Sequence, residues 1–157
     1  VRNALLAREG WVRSITFSPD NQTLAYGSWD GTVKLWNSQG QLLHTLRAHE
    51  KRVVSIAFSP DGQTLASASL DKTVKLWNLE GELLQTLSGH QGVVISVAFS
   101  PDGKTLASTS NDKTVILWNL ADLTLDPLMR DACAWVRDYL KYNAPESDRT
   151  LCDNIKK

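Results

Sequence analysis

Charge of one sign is what this sequence most plainly lacks: its 157 residues carry 17 Lys and Arg against 17 Asp and Glu. A balanced chain is not built to grip a polyanion, because nucleic-acid domains carry a clear basic excess, so no nucleic-acid partner is expected. Long hydrophobic runs are missing too. No stretch approaches the ~18 apolar residues of a membrane span, and the first residues lack the basic-then-apolar order of a signal peptide. No membrane partner is expected either. Cysteine is scarce, with two residues in all, too few for a disulfide scaffold. The first residue is Val1 and not Met, which reads as a piece of a longer chain. What is present, 42% apolar and 22% charged residues, suits a soluble cytoplasmic domain of roughly 100–200 residues.

Internal repetition dominates the rest. Phe17, Phe58 and Phe99 stand 41 residues apart, as do Trp36, Trp77 and Trp118. The segments read WVRSITFSPDNQTLAYGSWDGTVKLWN, RVVSIAFSPDGQTLASASLDKTVKLWN and VVISVAFSPDGKTLASTSNDKTVILWN. That period fits a four-stranded propeller blade, for which about 40–45 residues is typical. In the second copy, Val53 to Phe58 is rich in β-branched and aromatic residues and reads as strand a. Ser59-Pro60-Asp61-Gly62 places Pro second and Gly fourth, a type I turn signature. Thr64 to Ser69 is strand b, closed by Asp71-Lys72. Strand c alternates, Val74 and Leu76 facing one way, Lys75 and Trp77 the other. Leu83 to Leu87, beyond the turn Asn78-Leu79-Glu80-Gly81, is strand d. The unit is all-β and antiparallel.

These residues resemble the WD40 repeat family over about residues 1–119, with Trp-Asn where Trp-Asp is commonest. The resemblance implies a partial β-propeller of three four-stranded blades: repeat 1 over residues 10–50, repeat 2 over 51–91 and repeat 3 over 92–125, the last open to being incomplete. It also puts His49, Ser67, Asp71 and Trp77, and again His90, Ser108, Asp112 and Trp118, in the places of the family's structural hydrogen-bond tetrad. The same residue types serve acyl transfer. Catalysis needs one such set, whereas a staple is needed once per blade, so the structural reading is preferred and no catalytic residue is assigned. In the first copy Asp30 and Trp36 are kept, but Arg8 replaces His and Tyr26 replaces Ser, so blade one is expected to lack the full network. No metal or cofactor site is expected: the Asp-Gly pairs lack the oxygen ladder of a calcium loop, and His44 is read as solitary and exposed on strand d.

In this family, partners usually bind the face of the d–a and b–c loops. The matching positions are Trp11, Arg13 and Trp29; Arg52, Val54 and Leu70; Val93, Ile95 and Asn111. Exposed Trp and Arg are enriched at binding hot spots. Val54 and Ile95 are also candidates for blade packing, and for Trp11 and Trp29 recognition and packing both stay open.

Three blades do not close a ring of about 4–8. If each end face exposes ~400 Å² of apolar surface, at about 25 cal/mol/Å² the cost is ~10 kcal/mol per face, comparable with the roughly 5–15 kcal/mol stability of a domain. Further blades in cis or a homo-oligomer are therefore expected. Val1 to Glu9 aligns with Leu42 to Glu50 and reads as the outer strand of a neighbouring or closing blade. Leu123 to Leu128 is the competing outer strand for blade three, though Pro127 cannot donate to a ladder.

Beyond Asn119 the strand pattern stops. Asp126-Pro127 is a helix start, and Leu128, Ala132, Trp135, Val136, Tyr139 and Leu140 recur at helical spacing, so 126–157 reads as a helical hairpin. Cys133 and Cys152 are read as buried thiols in preference to a disulfide. The segment from CAWVRDYLKYN to SDRTLC is similar to the ends of bacterial multidomain WD40 proteins, in which the propeller follows a signalling ATPase module. No glycine-rich phosphate loop occurs here. The expected function is a non-catalytic protein–protein or peptide-binding scaffold, the partner-binding or sensor part of a larger signalling protein. A self-assembly unit is the alternative, and a Ser/His/Asp hydrolase the least favoured reading.

Overall fold

A computed structural model describes residues 10–122. The chain divides into two compact units, Val1–Leu120 and Ala121–Lys157, and of the second only residues 121 and 122 are described. Residues 1–9, the Leu123–Leu128 strand, the helical reading of 126–157 and the pair Cys133 and Cys152 lie outside the described residues.

Eleven strands are described. The first sheet is β1 (Val12–Phe17), β2 (Thr23–Ser28), β3 (Thr32–Asn37) and β4 (Leu42–Arg47), in the order β1-β2-β3-β4. The second repeats it with β5 (Val53–Phe58), β6 (Leu65–Ser69), β7 (Thr73–Trp77) and β8 (Leu83–Ser88). The third contains β9 (Val94–Phe99), β10 (Thr105–Ser110) and β11 (Val115–Asn119), followed by a short 3₁₀ turn at Leu120–Asp122. Every pairing is antiparallel between sequence neighbours. A fourth strand of the third sheet is not among the described residues.

The a–b turn shows how the sequence fixes the sheet. Gly62 N–H donates to Ser59 O at 2.9 Å with Gly62 at φ 71°, while Ser59 Oγ reaches the Asp61 carboxylate and accepts from Thr64 N–H. In the first copy Asn21 replaces this glycine and takes φ 59°, a left-handed conformation that Asn tolerates.

Sheets stack through their opening strands, β1 beside β5 and β5 beside β9. The core lies at the first seam, where Ala25, Val33, Leu35, Leu46 and Ala48 meet Val53, Ile56, Leu65, Trp77 and Phe58. A polar staple runs along the same line: Ile56 N–H donates to Ser14 Oγ at 3.1 Å, and Val97 N–H to Ser55 Oγ at 3.3 Å. These are antiparallel propeller blades in series.

Candidate functional site

Two closed hydrogen-bond chains cross the seams. His49 follows β4 of the first blade, yet its Nδ1 lies 2.8 Å from Asp71 Oδ2 and its Nε2 2.8 Å from Ser67 Oγ, both in the second blade. Trp77 Nε1 donates to the same Ser67 oxygen at 3.0 Å. The third blade repeats this: His90 to Asp112 at 2.9 Å, His90 to Ser108 at 2.8 Å, and Trp118 Nε1 to Ser108 at 2.9 Å.

The chemistry assigns the proton positions. Burial works to raise the Asp71 carboxyl, but the Thr73 hydroxyl, the His49 ring and the Thr73 N–H outweigh it and hold Asp71 below its ordinary range. An ionised carboxylate only accepts, so His49 Nδ1–H donates to it and neutral Nε2 accepts the Ser67 proton. Burial also pushes the His49 imidazole down, against the pull of Asp71. Asp112 lies far below the usual carboxylate range, held there first by the Thr114 hydroxyl and then by His90 and the N–H groups of Thr114 and Gln91.

The proton order matches that of a hydrolytic triad, but the access does not. Ser67 and Ser108 are fully buried, and each oxygen already accepts an indole N–H. A substrate carbonyl has no approach to either. Every polar atom of these chains is satisfied, which is how a buried network rigidifies a seam.

The first blade is built differently. Tyr26 stacks on Trp36 with centroids 6.3 Å apart. Tyr26 OH, Ser28 Oγ and Trp36 Nε1 are buried and make no hydrogen bond of good geometry among the described residues, although Trp36 lies near enough to ease ionisation of the Tyr26 phenol and Ser28 that of Asp30. Burial raises the Tyr26 phenol above its ordinary value, the negative charge of Asp30 adding to it. Asp30 itself engages Thr32 through both N–H and hydroxyl, at 2.9 and 2.7 Å. Arg8 lies outside the described residues.

The loop-face residues come together pairwise. Trp29 N–H donates to Trp11 O at 3.0 Å, Leu70 N–H to Arg52 O at 3.1 Å, and Asn111 N–H to Val93 O at 3.0 Å. Each blade thus ties its b–c turn to the start of its first strand. Arg13, Val54 and Ile95 occupy the same place in each blade: the β1–β2, β5–β6 and β9–β10 registers each skip this residue. A bulge re-aims a side chain next to a site, and that local twist is absent from the alternation of the sequence. Arg13 and Ile95 are exposed and Val54 is half-buried.

One cluster stands out on this face. The Trp11 and Trp29 rings stack at 4.8 Å and 25°, and the Arg52 guanidinium lies 4.2 Å over the Trp29 ring. Trp11 remains 72% exposed and Arg52 exposed. Two blades therefore build a three-layer platform of indole, indole and guanidinium. Leu70 and Val93 are half-buried and Asn111 exposed; they share the face without joining the stack. His44 on β4 is half-buried rather than exposed, its ring beside Gly81. Among the described residues no group of His, Cys, Asp and Glu is arranged to hold a metal ion.

Sequence reasoning missed the Ser14 and Ser55 staples. Their signal was a serine recurring every 41 residues inside an otherwise apolar strand, at Ser14, Ser55 and Ser96.

Comparison with known proteins agrees with this architecture. The chain is 44% identical over 52 residues to a ribosome biogenesis protein WDR12 homolog of Nematostella vectensis, which covers 31% of this chain and 12% of that protein. It is 40% identical over 47 residues to the pre-mRNA-splicing factor PRP46 of Yarrowia lipolytica, covering 29% and 11%. The chain thus spans about a tenth of the length of these curated relatives. Among solved structures, U3-55K and the RRP9 WD40 repeats each superpose with a TM-score of 0.72 at 28% identity, over 75% of this chain and 38% of theirs. The WD40 pattern (WD domain, G-beta repeat) matches residues 3–37, 40–78 and 81–119. Three matched repeats, stacked blades and two closed tetrads place the chain in the WD40 repeat family.

Proposed function

We propose that this chain is a non-catalytic scaffold that captures a protein or peptide on the face built by its d–a and b–c loops. The observation that carries the reading is the stack of Trp11, Trp29 and Arg52, which leaves an indole largely in water and a guanidinium beside it. Trp and Arg dominate binding hot spots because one side chain offers both a large apolar face and a polar contact. Arg13 and Ile95, turned out at the strand bulges, extend the surface around it. The Ser/His/Asp sets are disfavoured as a hydrolase because their serine oxygens are buried and occupied.

The relatives named above are a ribosome biogenesis protein homolog and a pre-mRNA-splicing factor, which supports a role for this chain as an interaction module in such a process. The tail's similarity to bacterial multidomain proteins supports a second placement, as the sensor part of a larger cytoplasmic signalling protein. Both placements use the same loop face.

The test is quantitative recovery from extract of the source cells with the immobilised full chain and with its Trp11→Ala/Trp29→Ala variant. A defined set of proteins recovered at least tenfold less by the variant, at unchanged Tm, supports the reading. Equal recovery by both chains, or loss of recovery together with a large thermal loss, overturns it.

A further inference from the structure

The two ends of the strands differ in the charge they leave free. The d–a and b–c turns, with the strand starts beside them, carry Arg13, Lys51, Arg52, Lys72 and Lys113, all exposed. The ion pairs among the described residues are His49–Asp71 and His90–Asp112, so none of these five cations has a charged partner there. The carboxylates of the same turns are engaged. Asp71 and Asp112 each give one oxygen to a histidine and the other to a threonine N–H and hydroxyl, and their side chains are 12% exposed. Asp30 is held by Thr32. Among the described residues, Glu50 is the one exposed carboxylate of these turns that stands outside such a network.

The a–b and c–d turns, at the other ends of the same strands, reverse the sign. They carry Asp20, Asp61, Asp102, Glu80 and Glu82, all exposed, with Lys104 their one cation among the described residues. Asp20, Asp61 and Asp102 are kept ionised first by the hydroxyls of Ser18, Ser59 and Ser100, then by the backbone N–H two residues on. The balanced charge of the whole chain therefore hides a division between its two loop faces.

We propose that the partner of the d–a and b–c face is an acidic peptide segment, in which Asp or Glu flanks an aromatic or aliphatic side chain; this rests on that face being the capture surface. A guanidinium carries its donors in its own plane. With Arg52 lying 4.2 Å over the Trp29 ring, those edges remain for a carboxylate, which can accept two parallel N–H bonds. Trp11, 72% exposed beside it, takes the apolar side chain. Lys72 and Lys113 hold their charge at φ 75° and 70°, a backbone conformation that glycine adopts without strain, so the cations stand there at a cost in stability. Ile95, 48% exposed on the same face, favours a peptide over single-stranded RNA, which needs only stacking rings and cations. The acidic turns repel such a peptide, and complementarity on one face with repulsion on the other orients its approach.

Random peptides displayed on phage and panned on the immobilised full chain test this, the survivors being sorted by loss of binding to the Trp11→Ala/Trp29→Ala variant. The tryptophan-dependent peptides are expected to carry Asp and Glu at about twice the input frequency or more, and Lys and Arg below it. Tryptophan-dependent peptides without that excess overturn the acidic partner and leave the scaffold reading standing. Absence of any such peptide also overturns the inference, whereas the scaffold reading falls only if recovery from extract is unchanged as well. Fluorescence anisotropy with one enriched peptide then locates the charge. Replacing its Asp and Glu by Asn and Gln, or Arg52→Gln in the chain, weakens Kd about tenfold, the scale of a charge-assisted hydrogen bond. The Lys72→Gly/Lys113→Gly variant relieves backbone strain, so misfolding does not account for a loss; it weakens Kd about threefold, as two surface pairs would. An unchanged Kd for either variant overturns the proposal. Labelled oligouridine is the contrast: tryptophan-dependent binding as tight as that of the peptide overturns the choice of a peptide over RNA.

Discussion

Ser67 Oγ accepts the Trp77 indole N–H at 3.0 Å, and the same oxygen gives its proton to His49 Nε2. One hydroxyl thereby satisfies two buried groups from two different blades. Ser67→Ala leaves both without a partner, and an orphaned buried donor or acceptor costs about 1–3 kcal/mol. A loss of about 2–4 kcal/mol is expected by denaturant titration. Tyr26→Phe, at the matching place in the first blade, removes a hydroxyl that makes no hydrogen bond of good geometry among the described residues and is expected to be neutral or stabilising by up to about 1 kcal/mol.

Acid should weaken the fold in two stages. His49 is held below its ordinary pKa, first by burial, so the folded chain resists a proton that an unfolded histidine takes up below about pH 6.5. The unfolded state then binds more protons, and stability falls as pH drops through that value. Asp71 and Asp61 are held low as well, Asp61 chiefly by the Ser59 hydroxyl. Their contribution is complete above about pH 4 and disappears below it. Tm measured from pH 8 to 3 should show both declines, and His49→Gln should shrink the first while lowering Tm at neutral pH.

Trp11 and Trp29 separate recognition from packing. Trp11 is 72% exposed, and substitutions at such positions usually stay within about 0.5 kcal/mol. Trp11→Ala should therefore leave Tm nearly unchanged while weakening partner capture tenfold or more, the scale of a hot spot. Arg52→Lys should weaken capture as well, because an ammonium does not reproduce the planar stack on Trp29.

Backbone conformation at the b–c turns offers a stabilising change. Lys72 and Lys113 sit at φ 75° and 70°, where the first blade has Gly31 at φ 87°. A side chain in the left-handed region costs roughly 1 kcal/mol. Lys72→Gly and Lys113→Gly are each expected to raise stability by up to about 1 kcal/mol in thermal melts. Gly31→Ala should lower it by more than that, since its Cβ would meet the His49 carbonyl oxygen.

Much of this architecture was legible because it is written three times. The turn Ser59-Pro60-Asp61-Gly62 and the strand beginning at Val53 fall where local chemistry put them, and β6 begins one residue later than read, at Leu65. What stayed hidden depends on register and on contacts between repeats. The skipped residues Arg13, Val54 and Ile95 arise from strand twist that apolar alternation does not encode. Arg52 finds Trp29 across a seam, and a pairing between two repeats leaves no periodic trace when only one copy has the tryptophan. The Ser14 and Ser55 staples were periodic but polar, and a serine in an apolar strand reads as a minor exception until its acceptor role is seen.

The serine staples give both seams among the described residues the same backbone-to-serine contact. A segment of 41 residues can therefore be duplicated or deleted in the gene without any new contact having to be invented, since the flanking seams accept the change as they stand. Ring size in such a lineage becomes a matter of copy number, and point substitutions are left free to diversify the loops.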